Sequence, residues 1–302
     1  MSRTLKNWFY FFAGGVFLTL AKTKSIIHGY SSPKPFSINE TTKCIEYDIS
    51  VVESWLSHLQ KYQSTSPGNN LKNKRVLELG PGSDLGIGLY LLSKGASEYN
   101  AVDVNNLVQS VPNTFYEELF AYLKVNNQEI DESFLRGQLD KLRDGDNDKL
   151  NYVCRNDFNI ASALNGRKVD IVFSQAAFEH FDNIEDTIGS LSKVTDKGAI
   201  AIILIDLQTH SRWIRDVDPI NIYRYPAWLY RLFNFRGIPN RVRPYQYKEA
   251  FEKHGWSNVT IESDSLLSDH SYNFVKGHLD SKFKPQINQM NYLSVWLYAT
   301  KL

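Results

Sequence analysis

The sequence predicts a doubly wound α/β domain with a mostly parallel, seven-stranded sheet. Two observations carry that prediction. From Arg75 onward short apolar runs alternate with helical patterns, and the runs lack the polar alternation of a half-exposed strand, so both faces of the sheet are covered. In order, strands are expected at Val76–Leu79, Tyr99–Val104, Tyr152–Arg155, Val169–Ser174, Ala199–Ile205, Val259–Ser263 and Tyr292–Thr300. Helices are expected at Leu85–Lys94, Ile184–Val194 and Tyr247–His254. Helical periodicity also marks Phe115–Leu123, Phe134–Leu142 and, ahead of the first strand, Asp48–Gln60, where Val51, Val52, Trp55, Leu56 and Leu59 recur at helical spacing. Residues 105–150 and 207–247 exceed what such a scaffold needs. Both follow the carboxyl ends of strands, where open α/β sheets bind ligands.

A chain of 302 residues with 42% hydrophobic and 22% charged residues can bury a full core, which excludes disordered and collagen-like architectures. Lysine and arginine total 34 against 33 acidic residues, so no global field holds the chain on nucleic acid or an anionic membrane. Any such binding needs a local patch. Two cysteines, Cys44 and Cys154, make neither a disulfide framework nor a zinc cluster; no metal site is expected, and a reducing, cytoplasmic compartment is.

Three segments follow: an apolar segment at 1–29, a linker and helix at 30–70, and the main domain at 71–302. Trp8 to Ala21 is uncharged and flanked by Arg3, Lys6, Lys22 and Lys24. As a helix it reaches about 21 Å at ~1.5 Å per residue, short of the roughly 30 Å hydrocarbon layer, so it does not span. A secretory signal ranks low. An interfacial helix on a membrane surface, or a helix packed on its own domain, both stay open. Composition between Tyr30 and Lys43 reads as a linker, and Gln63–Asn70, with Pro67-Gly68, as a polar loop.

The first strand runs into Glu78-Leu79-Gly80-Pro81-Gly82-Ser83-Asp84-Leu85-Gly86. Its glycines let the backbone turn tightly and approach a ligand, with a helix N-terminus behind. The spacing is G-x-G-x-x-x-G, unlike the G-x-G-x-x-G of dinucleotide sites, and Glu78 suits a ligand with a cationic end better than a pyrophosphate. Asp103 ends the second strand, where a carboxylate can accept two ribose hydroxyls. Asp157 follows the third, where a side-chain acceptor and a peptide N–H can read an adenine edge.

The stretches VLELGPGSDLG (76–86), AVDV (101–104), NDF (156–158) and DIVFSQAAFEHF (170–181) resemble successive motifs of the class I S-adenosylmethionine-dependent methyltransferases, over roughly Lys74 to Lys301. The order of the GPG turn, Phe178-Glu179-His180, Ile205-Asp206-Leu207 with His210 soon after, and Asn240-Arg241-Val242-Arg243 before a helix is similar to a bacterial group associated with glycan and small-molecule biosynthesis. The resemblance implies a Rossmann-like fold and S-adenosylmethionine as cofactor. It implies that Gly80 and Gly82, with Glu78 and Pro81, approach the methionine part, that Asp103 and Val104 meet the ribose and Asp157 and Phe158 the adenine, and that the segment from Ser174 lines the methyl-donor face. Each residue alone could be a turn glycine, a cap or a loop acid; their placement at the ends of three successive strands favours the functional reading.

Methyl transfer from a sulfonium is an in-line displacement, so alignment and exclusion of water carry most of it. A hydroxyl acceptor must also lose a proton. His210 is favoured as its base, and His180 is the second candidate, more often structural; Asp206 and Glu179 could orient them. Residues 207–247 hold seven arginines and nine aromatic residues against Asp216 and Asp218 alone, a set that suits an acidic or phosphorylated sugar. Arg212, Trp213, Asn240, Arg241 and Arg243 are the candidate acceptor contacts; the bland alternative is a helical subdomain with an aromatic core. The expected activity is O-methylation of a hydroxyl on a sugar, glycan or related small molecule. The second reading is methylation of RNA or another nucleic acid, prompted by the interleaved arginines and aromatics; against it, Ser174-Gln175-Ala176-Ala177 stands where base-amine enzymes carry an Asn/Asp-Pro-Pro-aromatic pattern, and the net charge is near zero. A non-catalytic membrane-associated module is the third reading.

Overall fold

A computed structural model of the protein describes residues 2–29, 38–63, 71–126 and 130–302. Parts of the expected linker at 30–43 and nearly all of the loop around Pro67-Gly68 lie outside these residues. Helix α1 (Arg3–His28) and helix α2 (Thr41–Gln63) precede the sheet. The chain then runs β1 (Arg75–Leu79), α3 (Gly86–Ser93), β2 (Glu98–Asp103), α4 (Asn113–Asn126), α5 (Glu132–Arg143), β3 (Leu150–Cys154), α6 (Ile160–Leu164), β4 (Val169–Gln175), α7 (Ile184–Val194) and β5 (Thr195–Asp206). It closes with α8 (Arg212–Arg215), α9 (Ala227–Leu232), α10 (Pro244–Lys253), β6 (Trp256–Leu266), α11 (Asp269–Val275) and β7 (Tyr292–Lys301).

All seven expected strands form one sheet in the order β3-β2-β1-β4-β5-β7-β6. β1 to β5 pair in parallel, and β7 runs antiparallel between β5 and β6. The direction of winding across the sheet reverses between the parallel strands β1 and β4: the chain leaves β1 toward β2 on one side and β4 toward β5 on the other, which opens a crevice at their carboxyl ends. β5 begins earlier than its apolar run, passing through Gly198 in a left-handed conformation to pair Thr195 with Val169.

Helices cover both faces, as the unbroken apolar strands require. On one face α2, α3, α4 and α5 form a core in which the Trp55 ring of α2 lies flat on Phe173 of β4, 4.6 Å away and 4° from parallel. α6, α7 and α10 cover the other face. Short polar side chains start several helices: Asp131, Asn159 and Asn183 accept the N–H groups of Phe134, Ser162 and Asp186. α2 starts at Thr41, ahead of its predicted start, because Ile45 continues its buried stripe.

A third cluster joins α1 to residues 220–238 and to the segment before β7. The buried face of α1 is fixed by its own backbone carbonyls, with Asn221 donating to Tyr10 O at 2.9 Å and Tyr225 to Phe11 O at 2.7 Å. Gly14 is needed here: a Cβ would stand 1.9 Å from the Asn221 side-chain oxygen. No helix among the described residues is long and apolar enough to cross a membrane.

Candidate active site

The crevice between β1 and β4 deepens into a cavity of about 790 Å³, within the ~300–1,000 Å³ usual for small-molecule sites. Its floor is the turn after β1. Gly80 and Gly82 both take positive φ, at 76° and 84°, where side chains are strained, and a Cβ on Gly80 would come 2.7 Å from the Ala177 methyl. The Gly80 N–H donates to Val102 O, tying the turn to β2.

Glu78 lies under this turn, fully buried, and accepts a hydrogen bond from the Tyr99 hydroxyl. Burial pushes its carboxyl up to about 8, with the charges of Asp84 and Asp103 adding to the rise. Asp84 is also raised by burial, although it accepts the Gly86 N–H at the start of α3. At the end of β2, Asp103 accepts the Val104 and Asn105 N–H groups at 2.6 and 2.9 Å; burial raises it too. Pro81, Val104, Asp157 and Phe158 complete this side of the lining.

Three of the predicted cofactor positions carry other tasks in this structure. The Asp157 carboxylate is exposed and taken by Arg155 at 2.8 and 2.9 Å, so only its backbone is left to read an adenine edge. Ser174 is buried and donates to Leu79 O at 2.8 Å, which clamps β4 to β1 and keeps its hydroxyl off the cavity; Gln175, Ala176 and Ala177 form the wall instead. Phe158 stands in a left-handed conformation with its ring 4.5 Å from Phe181.

The loops after β4 and β5 bring together His180, which lines the cavity, and His210, which lies outside the lining, with ring centres 4.7 Å apart. His210 Nε2 lies 3.5 Å from Asp206 Oδ2, and Arg215 donates to the same oxygen at 2.9 Å. Burial pushes Asp206 up, but His210 and Arg215 outweigh it and hold the carboxyl below its usual range, ionised. His180 lines the cavity and is pushed down to about 4, first by burial and then by His210, so it is neutral near pH 7. Glu179 is buried behind it with no well-formed hydrogen bond to either carboxyl oxygen, and burial raises it strongly. Glu179, His180 and His210 each offer a ligand atom within 4.8 Å of the others, a grouping of cation-binding type that cysteine spacing does not reveal.

The acceptor contacts expected from the arginine-rich stretch need correction. Arg243 is fully buried and spends its guanidinium on Asn288 O, Gln289 O, Tyr292 O and the Tyr223 hydroxyl. Arg241 donates to Ile222 O and Tyr225 O and lies 3.9 Å over the Tyr230 ring. Neither lines the cavity. Asn240 braces the His180 loop by donating to Phe178 O and Phe181 O. Arg212 and Trp213 are exposed on α8 outside the cavity lining. The arginine that does reach the cavity is Arg236, whose charge acts on Asp103. Residues 105–150 add nothing to the lining, since α4 and α5 serve as a layer on the sheet.

Sequence reasoning passed over the wall supplied by α2 and the turn before it: Glu40, then Lys43, Cys44, Tyr47 and Asp48 of the helix. A signal was present. Asp48 sits on the buried stripe of Ile45, Val52, Trp55 and Leu59, and a carboxylate among apolar positions wants a partner or a ligand. Burial, then the charge of Asp84, raises Asp48 well above the carboxylate range.

Comparison with known proteins now bears on this geometry. A family model described as a methyltransferase domain matches residues 53–261. No curated protein sequence matches the chain significantly. Among solved structures, a protein described as a sarcosine dimethylglycine methyltransferase from Galdieria sulphuraria is similar at TM-score 0.43 and 12% identity, covering 83% of this chain and 84% of that one. The phosphoethanolamine N-methyltransferase 2 of Haemonchus contortus, crystallised with S-adenosyl-L-methionine, scores 0.44 at 14% identity, with 92% of this chain and 55% of that chain covered. The CurJ carbon methyltransferase scores 0.42 at 12% identity, with 83% and 53% covered. This chain thus spans about half of the latter two, and likenesses so remote decide no substrate.

Proposed function

The chain belongs to the methyltransferase domain family, as an S-adenosylmethionine-dependent enzyme, and we propose that it O-methylates a hydroxyl of a sugar, glycan or related small molecule. The residues present fit the cofactor. The Gly80–Gly82 turn admits a ligand where side chains would not fit, and buried Glu78 has no cationic partner among the described ion pairs, so it suits the ammonium of the methionine part. Asp103 and Val104 would hold the ribose, and the Asp157 and Phe158 backbone would meet the adenine. When bound, S-adenosylmethionine supplies an electrophilic methyl group on a sulfonium.

The rest falls to this chain's own groups. Alignment of an acceptor oxygen in a cavity walled by α2 and residues 236–237 can account for ~7–11 kcal/mol of the barrier. The observation that favours a hydroxyl acceptor is the His210–Asp206 pair next to the cavity-lining His180: ionised Asp206 holds Nε2, which leaves Nδ1 to take the proton. His180, neutral and weakly basic, positions the acceptor. Arg212 and Trp213 remain proposed as outer contacts for an acceptor larger than the cavity. Within the family we place the chain in the bacterial group of glycan and small-molecule enzymes, in the cytoplasm, peripheral on a membrane's inner face through residues 8–21.

Incubation of cell extracts with methyl-labelled S-adenosylmethionine tests this reading. Mass spectrometry should show one methyl group gained on an oxygen of a sugar-bearing metabolite. Label carried by RNA, or by amines alone, would contradict it.

A further inference from the structure

Helix α1 is half packed and half bare. Its inward face carries Asn7, Gly14 and Leu18, while Leu5, Trp8, Phe9, Phe12, Val16 and Leu20 are each more than half exposed along the outward face. From Leu5 to Leu20 that stripe covers about 22 Å at ~1.5 Å per residue. α8 and α9, which pack beside α1, add the exposed side chains of Trp213, Trp228 and Leu232, open by 80%, 65% and 61%. Large contiguous apolar surface on a soluble fold marks an interaction site.

Between α1 and α9 this face opens into a groove of about 450 Å³, lined by Phe12, Gly15, Val16 and Leu20 on one side and by Leu229 and Phe233 on the other. Gly15 makes the room, since a Cβ there would still stand 3.6 Å from the Phe233 ring. Its two hydroxyls are already spent on backbone: Thr19 donates to Gly15 O and Tyr225 to Phe11 O. A peptide or a sugar would leave its own polar groups unpaired in such a lining, and a hydrocarbon chain would not.

Charge selects between sources of hydrocarbon. α1 carries Arg3, Lys6, Lys22 and Lys24 and no acidic residue. Two copies of the chain paired through this face about a two-fold axis would set these cations against one another. An anionic lipid surface answers them. α1 is also held rigidly, with Arg3 bonded to Phe274 O and Lys22 to Leu232 O, so the face is presented as a preformed plane.

We propose that the groove between α1 and α9 takes a hydrocarbon chain of a bilayer lipid, seating the enzyme on an anionic membrane with Trp8, Trp213 and Trp228 at headgroup level. α9 leads within four residues to Arg236 at the cavity rim, so a seated enzyme meets amphiphilic acceptors whose polar ends stand at the interface. The inference rests on the membrane placement above and not on methyl transfer.

Two readouts test it with the full-length protein. Vesicles of phosphatidylcholine and phosphatidylglycerol should pellet the wild type, and Phe12→Glu and Trp228→Glu should each weaken binding roughly tenfold or more. Without vesicles, cis-parinaric acid should bind one molecule per chain with a rise in emission, and Gly15→Phe, which fills the groove, should cut that affinity at least tenfold while vesicle binding persists. S-adenosylmethionine binding checks that each variant is folded. Protein left in the supernatant with every vesicle overturns the membrane seat, and so does a dimer that Phe12→Glu dissociates. Parinaric acid binding that is absent, or indifferent to Gly15→Phe, overturns the groove. None of these outcomes touches the methyl-transfer reading, which fails separately if labelled methyl never reaches a hydroxyl.

Discussion

The cofactor end of the cavity and the arginine-rich stretch at 207–247 hold buried charge in opposite ways. At the cofactor end Glu78, Asp48 and Asp84 are buried without an ion pair among the described residues, and all three are pushed toward the neutral form. In the stretch, Arg224 pairs with buried Asp218 at 2.6 Å, and Arg241 and Arg243 are saturated by peptide carbonyls. Buried charge that is satisfied holds a scaffold together; a buried carboxyl left short of a partner is where a cationic ligand is expected. Arginine count alone did not separate Arg241 and Arg243, which brace the scaffold, from Arg236, which lines the cavity.

That contrast can be sharpened by substitution. The largest expected effect is at the histidine pair: His210→Ala should lower turnover by about 10²–10⁴-fold with cofactor affinity kept, read as label transfer to the acceptor. Unchanged turnover would move proton removal elsewhere. Next, Arg243→Ala should cost roughly 3–5 kcal/mol of stability in denaturant unfolding, because it empties the space of a fully buried side chain and removes its bonds to Asn288 O, Gln289 O, Tyr292 O and the Tyr223 hydroxyl, with ligand affinity of the folded fraction unchanged. A stable variant with weakened acceptor binding would break the comparison. Smaller again, Asp103→Ala should weaken S-adenosylmethionine roughly ten- to a hundredfold with little loss of stability.

The same contrast explains what was legible in the sequence. Strands without polar alternation could only be buried on both faces, so β1 to β5 and the parallel sheet followed directly, and Gly80 and Gly82 stood where a strand must turn sharply into a helix. β6 was readable in part, since Glu262 and Asp264 interrupt its apolar pattern; it pairs only with β7 at the sheet edge. Partners of long side chains were not legible. Whether Arg243 meets a ligand or Gln289 O depends on a contact across 46 residues of chain, and local pattern does not carry that. α2 was read as a helix but not as a cavity wall, because only the tertiary fold lays Asp48 beside Asp84 and Gly86. The two faces of α1 were likewise unresolved: packing and interfacial exposure were alternatives in the sequence, and the helix does the first with one face and leaves the second to the other.

Glu78 gives the comparison a pH signature. Its folded pKa of about 8 exceeds the ordinary 4.5, so the unliganded protein binds the proton more tightly than the unfolded chain. Its contribution to stability is therefore full below about 4.5 and is lost as pH rises toward 8, a fall that thermal unfolding of unliganded wild type, compared with Glu78→Gln, should register. A cation placed beside the carboxylate reverses this by drawing the proton off.

Calorimetric titration of S-adenosylmethionine near pH 7, in buffers of different ionisation enthalpy, tests the central assignment most directly. Asp48 and Asp84 face the same cavity and are also raised, so wild type is compared with Glu78→Gln to assign the proton. The account predicts one site per chain, net proton release on binding, and loss of both that release and most of the affinity in the variant. Binding with no proton released, and unchanged by Glu78→Gln, would contradict it.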